Sequence, residues 1–94
     1  MIEPGNESAD RSGPEPGVRI YWRPGCPYCL VLRARVRKYA DRATWLNIWE
    51  DPDGAAYVRR VNDGNETVPT VVIDGVPHTN PSPGVVRAAL AALT

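Results

Sequence analysis

The chain has little of several things that narrow its function. Its 94 residues contain two cysteines, one histidine, one methionine and no phenylalanine, and Lys38 is the only lysine. Two cysteines are too few for a disulfide-stapled secreted scaffold. Two cysteines and His78 leave one chain short of the four ligands of a structural zinc site. No stretch approaches the ~18 apolar residues that cross a bilayer as a helix. No apolar run follows Met1-Ile2-Glu3-Pro4, so no secretory leader is expected and the cytoplasm is the expected location. The formal net charge is zero, which argues against a general nucleic-acid binder.

That neutrality hides a division. Residues 1–17 hold four acidic side chains against Arg11, with three prolines and three glycines. Such a segment buries too little apolar surface to offset its ordering entropy and reads as a disordered acidic tail. Residues 18–94 hold ten basic and seven acidic residues and form one expected domain, above the ~40 residues at which staples become necessary.

Val18–Trp22 is rich in β-formers and follows Gly17, which predicts a strand. Pro24-Gly25 breaks it, and Pro27 suits a first helical position because its missing N–H leaves nothing unpaired there. Cys29, Leu32, Val36 and Tyr39 recur at helical spacing, which predicts a helix over 27–42. Thr44–Trp49 reads as a second strand. Asp51 caps and Pro52 opens a helix carrying Ala55, Val58 and Val61 inward, ending near Asn62-Asp63-Gly64. Pro69–Ile73 reads as a third strand, and Asp74-Gly75 predicts a hairpin into a fourth. Asn80 or Ser82 caps a final helix with Val85, Val86, Ala89, Leu90 and Leu93 inward. The order β-α-β-α-β-β-α gives an α/β fold, with a right-handed crossover between the first two parallel strands and an antiparallel hairpin completing the sheet.

Cys26-Pro27-Tyr28-Cys29 falls where the first strand gives way to the first helix. A sulfur at a helix N-terminus faces unpaired N–H groups and the positive end of the macrodipole, both favouring thiolate. Cys26 at the cap is the expected exposed nucleophile and Cys29, one turn inside, the resolving thiol. Arg23 adds positive charge. A structural disulfide or two inert core thiols are the bland alternatives, but a C-x-x-C at this junction is the redox position. His78 reads as a polar hairpin residue, Arg59 and Arg60 as a solvated helix face. Trp22 lies near the cysteine loop, and Trp45 and Trp49 share a strand parity.

Arg23-Pro24-Gly25-Cys26-Pro27-Tyr28-Cys29, followed about forty residues later by Thr67-Val68-Pro69, resembles the glutaredoxin branch of the thioredoxin superfamily. The resemblance spans nearly all of residues 18–94. It implies a thioredoxin fold of four mixed strands flanked by three helices, with Cys26 and Cys29 catalytic. It also implies a cis Pro69 that presents the backbone N–H and C=O of Val68 to substrate. Glutathione-using members carry a Gly-Gly and acidic signature before the last helix; here His78-Thr79-Asn80-Pro81-Ser82-Pro83 stands instead. With Asn62-Asp63-Gly64-Asn65 ahead of Thr67, that segment is similar to the actinobacterial mycoredoxins, which use mycothiol. The resemblance therefore implies a monomeric thiol–disulfide oxidoreductase with no metal or tightly bound cofactor. Its partners are disulfide-bonded or thiolated client proteins, a small thiol, and indirectly an NADPH-dependent reductase. Arg23, Pro27, Tyr28, Thr67, Val68, Pro69, Thr79 and Asn80 are the expected substrate-binding residues. Two rivals remain: a redoxin fed by thioredoxin reductase that serves ribonucleotide reductase, and a non-catalytic iron–sulfur carrier. The first usually carries a phenylalanine-containing segment near the last helix, the second Cys-Gly-Phe-Ser in place of Cys26–Cys29.

Overall fold

Strand β1 (Val18–Trp22) is the centre of the assembly because it pairs on both edges. On one side it runs parallel to β2 (Thr44–Asn47), and on the other antiparallel to β3 (Thr70–Ile73), which pairs antiparallel with β4 (Val76–Thr79). The sheet order is β2-β1-β3-β4. The computed structural model describes residues 17–93, so the expected acidic tail lies, but for Gly17, outside the described residues. Gly17 itself belongs to the fold: its N–H donates to the Asp74 carboxylate at 2.8 Å, and its carbonyl accepts from the Asp74 N–H at 2.8 Å. The β3–β4 turn thus pins the start of β1. Asp74 and Gly75 have φ of 50° and 88°, the paired positive values a two-residue type I′ hairpin requires.

Helix α1 (Pro27–Arg35), a 3₁₀ turn (Arg37–Arg42), α2 (Pro52–Val61) and α3 (Pro83–Ala91) cover the sheet. Leu32 and Val36 meet Val86 and Leu90 over Ile20 and Val71 on one face. Tyr57 and Val58 of α2 pack with Tyr21, Val72 and both cysteines on the other. Alternation along β1 therefore sends Ile20 and Tyr21 into different apolar layers, the three-layer arrangement that buries both faces of a sheet.

The element order is the expected one, with four local differences. The helix expected over 27–42 changes at Val36, and residues 37–42 tighten to 3₁₀. Tertiary bonds account for this: Arg42 Nη1 donates to the carbonyls of Leu90 and Leu93 at 3.1 and 2.9 Å, and the Trp45 indole N–H donates to Ala40 O at 2.8 Å. A guanidinium on the last carbonyls of α3 is a favourable helix terminus. The second strand stops at Asn47, whose side chain accepts from Trp49 N–H at 2.9 Å and turns the chain, leaving Trp49 exposed while Trp45 is half-buried. The third strand begins at Thr70, one residue after Pro69. Ser82, not Asn80, caps α3, and Val85 in its first turn is exposed, not inward.

Asp51 caps α2 as expected, accepting from Gly54 N–H at 3.1 Å. A Cβ on Gly54 would lie 2.9 Å from Asp51 Oδ2 and 3.2 Å from Tyr21 Cε1. Asp51→Ala, by loss of the cap, and Gly54→Ala, by displacing it, should each lower stability by about 1 kcal/mol. Urea unfolding checks this, with an earlier midpoint and an unchanged slope expected for both.

Candidate active site

Pro24 and Gly25 turn the chain out of β1, Gly25 with φ of 79°, and deliver Cys26 to the N-cap of α1 with extended backbone (φ −87°, ψ 115°). Pro27 fills the first helical position. The Cys26 sulfur accepts from the Cys29 N–H at 3.4 Å, taking up one of the N–H groups that a helix start leaves unpaired. Its own S–H donates to the Val68 carbonyl across 3.7 Å. Both cysteines are in the free thiol form.

The two sulfurs are not distinguished by exposure as expected. Cys26 is 3% and Cys29 4% exposed, because the Val68 segment lies against Cys26 while the helix covers Cys29. Their surroundings differ instead. Burial, followed by the hydrogen bond with Cys26, pushes the Cys29 thiol from the ordinary 9.0 up to about 12, against an opposing hydrogen bond from the Arg23 backbone. Arg23 therefore bears on Cys29, both through its backbone and, more weakly, through its charge.

The segment facing Cys26 is tied together by backbone and side chain. The Val68–Pro69 bond is cis, and Pro69 is buried. The Pro69 carbonyl accepts from Asn80 N–H at 2.8 Å, with Asn80 at φ 47°. The Thr67 carbonyl accepts from Thr70 Oγ1 at 2.7 Å. Cys26, Val68, Pro69 and Asn80 thus form one connected run, with Thr67 and Thr79 beside it; Pro27 and Tyr28 lie exposed on the helix side. The expectation of a free Val68 carbonyl is modified, since the Cys26 thiol already donates to it. His78 sits within β4 opposite Val71.

Asn62 is the residue whose part was missed. Read from sequence as a helix stop, it donates through Nδ2 to Val58 O at 2.8 Å and to Thr70 Oγ1 at 3.1 Å, and its Oδ1 accepts from Thr79 Oγ1. One amide thus joins α2, β3 and β4 behind the Thr79–Asn80 segment. Its only sequence signal was membership of the Asn62–Asn65 run. Among the described residues no three His, Cys, Asp or Glu side chains gather to hold a metal ion, and no helix is long and apolar enough to cross a membrane.

A C-x-x-C at a strand–helix junction, beside a cis-proline segment on a four-stranded mixed sheet, defines a thioredoxin-like redox protein. Solved structures agree on the fold. A thioredoxin-like protein, BC3987, superposes with a TM-score of 0.66 at 19% identity over 82% of this chain and 97% of its own. Wheat glutaredoxin gives 0.65 at 16% identity over 100% and 98%. The pattern that defines the glutaredoxin family matches residues 18–78. Mycoredoxin 1 of Corynebacterium glutamicum is 36% identical over 77 residues, 81% of this chain and 95% of that one. A Mycobacterium tuberculosis protein named as a glutaredoxin is 38% identical over 74 residues, 78% and 88% of the two chains. The chain belongs to the glutaredoxin family, and within it is a mycoredoxin-like redox protein.

Two outcomes follow from this geometry. In a Cys26→Ser variant, burial still holds Cys29 protonated, so alkylation of Cys29 at about pH 8 should be roughly tenfold or more slower than that of a cysteine peptide. Mass spectrometry of timed samples reads it. The sign for stability is that of a raised pKa: the contribution is full below pH 9.0 and is lost as pH rises toward about 12. Asn62→Ala should lower stability by about 1–3 kcal/mol in urea unfolding, since it removes three hydrogen bonds, one of them to the buried Thr70.

Proposed function

We propose that the protein is a thiol–disulfide oxidoreductase that reduces mixed disulfides between proteins and a low-molecular-weight thiol, and that this thiol is mycothiol. The observation that carries the reading is the Cys26 sulfur at the α1 N-cap, with the Cys29 N–H directed at it and the Val68 backbone across from it.

The Cys26 thiolate attacks the small-thiol sulfur of a modified protein. The Cys26–small-thiol bond forms as the protein–small-thiol bond breaks, and the client leaves as a thiolate that takes up a proton. A second thiol molecule, as its thiolate, then attacks the Cys26 mixed disulfide. Cys26 departs as thiolate, and the small-thiol disulfide is released for an NADPH-dependent reductase. Donation from the Cys29 N–H favours negative charge on Cys26 in both steps. Cys29 offers a branch in which it loses its proton, attacks the Cys26 sulfur and expels the small thiol. Burial opposes loss of the Cys29 proton in this branch, while the Cys26 hydrogen bond and charge that also oppose it are gone once Cys26 is in the mixed disulfide.

Mycothiol is favoured over glutathione by the start of α3. Ser82 caps it, Pro83 opens it, and its first turn carries no acidic residue, in place of the Gly-Gly and acidic signature of glutathione-using relatives. The name of the Corynebacterium relative, Mycoredoxin 1, supports the same thiol. Arg23, Tyr28, Thr67, Val68, Thr79 and Asn80 are the proposed contacts for the mixed disulfide.

An NADPH-linked assay with mycothiol plus its reductase, glutathione plus its reductase, and thioredoxin reductase alone separates the readings. Mycothiol should exceed glutathione by about tenfold or more, because polar groups placed for one thiol are left unpaired by another. Equal rates would make the protein a general glutaredoxin, and efficient turnover with thioredoxin reductase alone would favour the ribonucleotide-reductase role. Cys26→Ser should abolish turnover, whereas Cys29→Ser should retain it.

A further inference from the structure

Beside Cys29, on the side of α1 and β2, the surface opens into a shallow pocket of about 300 Å³, mouth included, walled by Trp22, Arg23, Cys29, Leu30, Arg33 and Trp45. The Arg33 guanidinium carbon lies 6.0 Å from the Trp22 ring centroid and 5.1 Å from that of Trp45. Both are within cation–π reach, so the two indoles orient an exposed side chain without neutralising its charge. Among the described residues no carboxylate lies within salt-bridge distance of Arg23 or Arg33. Leu30, 65% exposed, extends the apolar surface along α1.

The two charged residues that wall the pocket, Arg23 and Arg33, are both basic. From Val18 to Lys38 the chain carries six basic residues and no aspartate or glutamate, whereas six of the seven acidic residues after residue 17 lie between Glu50 and Asp74. A pocket walled by two indoles and Leu30 suits an apolar side chain, and its arginine rim suits a carboxylate. A small thiol that carries no carboxylate would leave the two guanidinium groups without an ion pair. The exposed Asn80 side chain, beside the Val68 segment, serves such a thiol better. A second copy would bring arginines against arginines.

We propose that this pocket docks the client protein. It takes an apolar side chain near the target cysteine, while Arg33 and Arg23 pair with an acidic residue next to it. The proposal rests on the oxidoreductase reading and names the kind of protein substrate that reading leaves open: a cysteine in an acidic, apolar context.

Binding can be read without turnover. The full chain is titrated with two hexapeptides in which serine replaces the target cysteine, one with leucine and aspartate beside it, the other with serine and lysine. The Trp22 and Trp45 indole N–H resonances are followed by NMR. The acidic, apolar peptide should shift both and bind about tenfold or more tightly than the basic one, with affinity falling at about 0.5 M salt as the ion pair is screened. Arg33→Glu should reverse the preference between the peptides. Wild-type salt dependence stands as an independent reading should that variant fold poorly. Absent shifts at both indoles, or equal affinities, would overturn the proposal. So would mycothiol alone shifting the same indoles, or dimerisation of the free chain that Arg33→Glu disrupts. Equal tightening for both peptides on replacing Glu3, Glu7 and Glu15 by glutamine would assign the pocket to the chain's own acidic segment and overturn it as well. Reduction of 2-hydroxyethyl disulfide, measured alongside, tests the oxidoreductase reading separately.

Discussion

A helix leaves its first N–H groups without partners, and in this protein one of them points at a sulfur. The bond from Cys29 N–H to Cys26 Sγ organises what surrounds it. It requires β1 to end where α1 begins, with Pro24-Gly25 to turn the chain and Pro27 to start the helix without a wasted donor. It places Cys29 one turn inside, where burial holds its proton. It leaves Cys26 facing the Val68 carbonyl, and through Pro69 and Asn80 that contact reaches the head of α3. The central position of β1 makes the junction stiff, because both edges of the strand are paired.

What could be read from sequence was what local chemistry dictates. Pro27 and Pro52 after Cys26 and Asp51 specify helix starts, Asp74-Gly75 specifies a turn, and the β-branched run at 70–73 specifies a buried strand. What could not be read depended on partners distant in the chain. The change of helix type after Val36 answers to Arg42 reaching α3 and Trp45 reaching Ala40, neither of which leaves a periodic trace. The early end of β2 comes from one Asn47 side chain. Asn62 looks from sequence like any residue ending a helix, and its bonds to Val58, Thr70 and Thr79 exist only once three elements meet. The similar burial of the two cysteines has the same origin, since the segment over Cys26 comes from forty residues away.

The surroundings of the cysteines differ by direction. Toward Val68, Thr79 and Asn80 lies a polar segment held in place by hydrogen bonds among Pro69, Asn80, Thr79 and Asn62. Toward Trp22, Arg33 and Trp45 the surface offers indole and guanidinium. A mixed disulfide has two unlike halves, a small polar thiol and a polypeptide, and in the proposed reading each half meets the surface that suits it. The charged walls of the pocket, Arg23 and Arg33, are both basic, so in the proposed reading electrostatic attraction and local packing favour the same orientation of an acidic client.

The central claim is that Cys26 takes the small thiol from a client and lets the client go. Intact-protein mass spectrometry of the Cys29→Ser variant, mixed with a mycothiol-modified protein and quenched with acid, tests it most directly. The account predicts one mycothiol added to the variant, located at Cys26 by peptide mapping, with the client recovered as free thiol. Attachment of the client polypeptide itself to Cys26, or an unmodified variant beside an unreduced client, would contradict it.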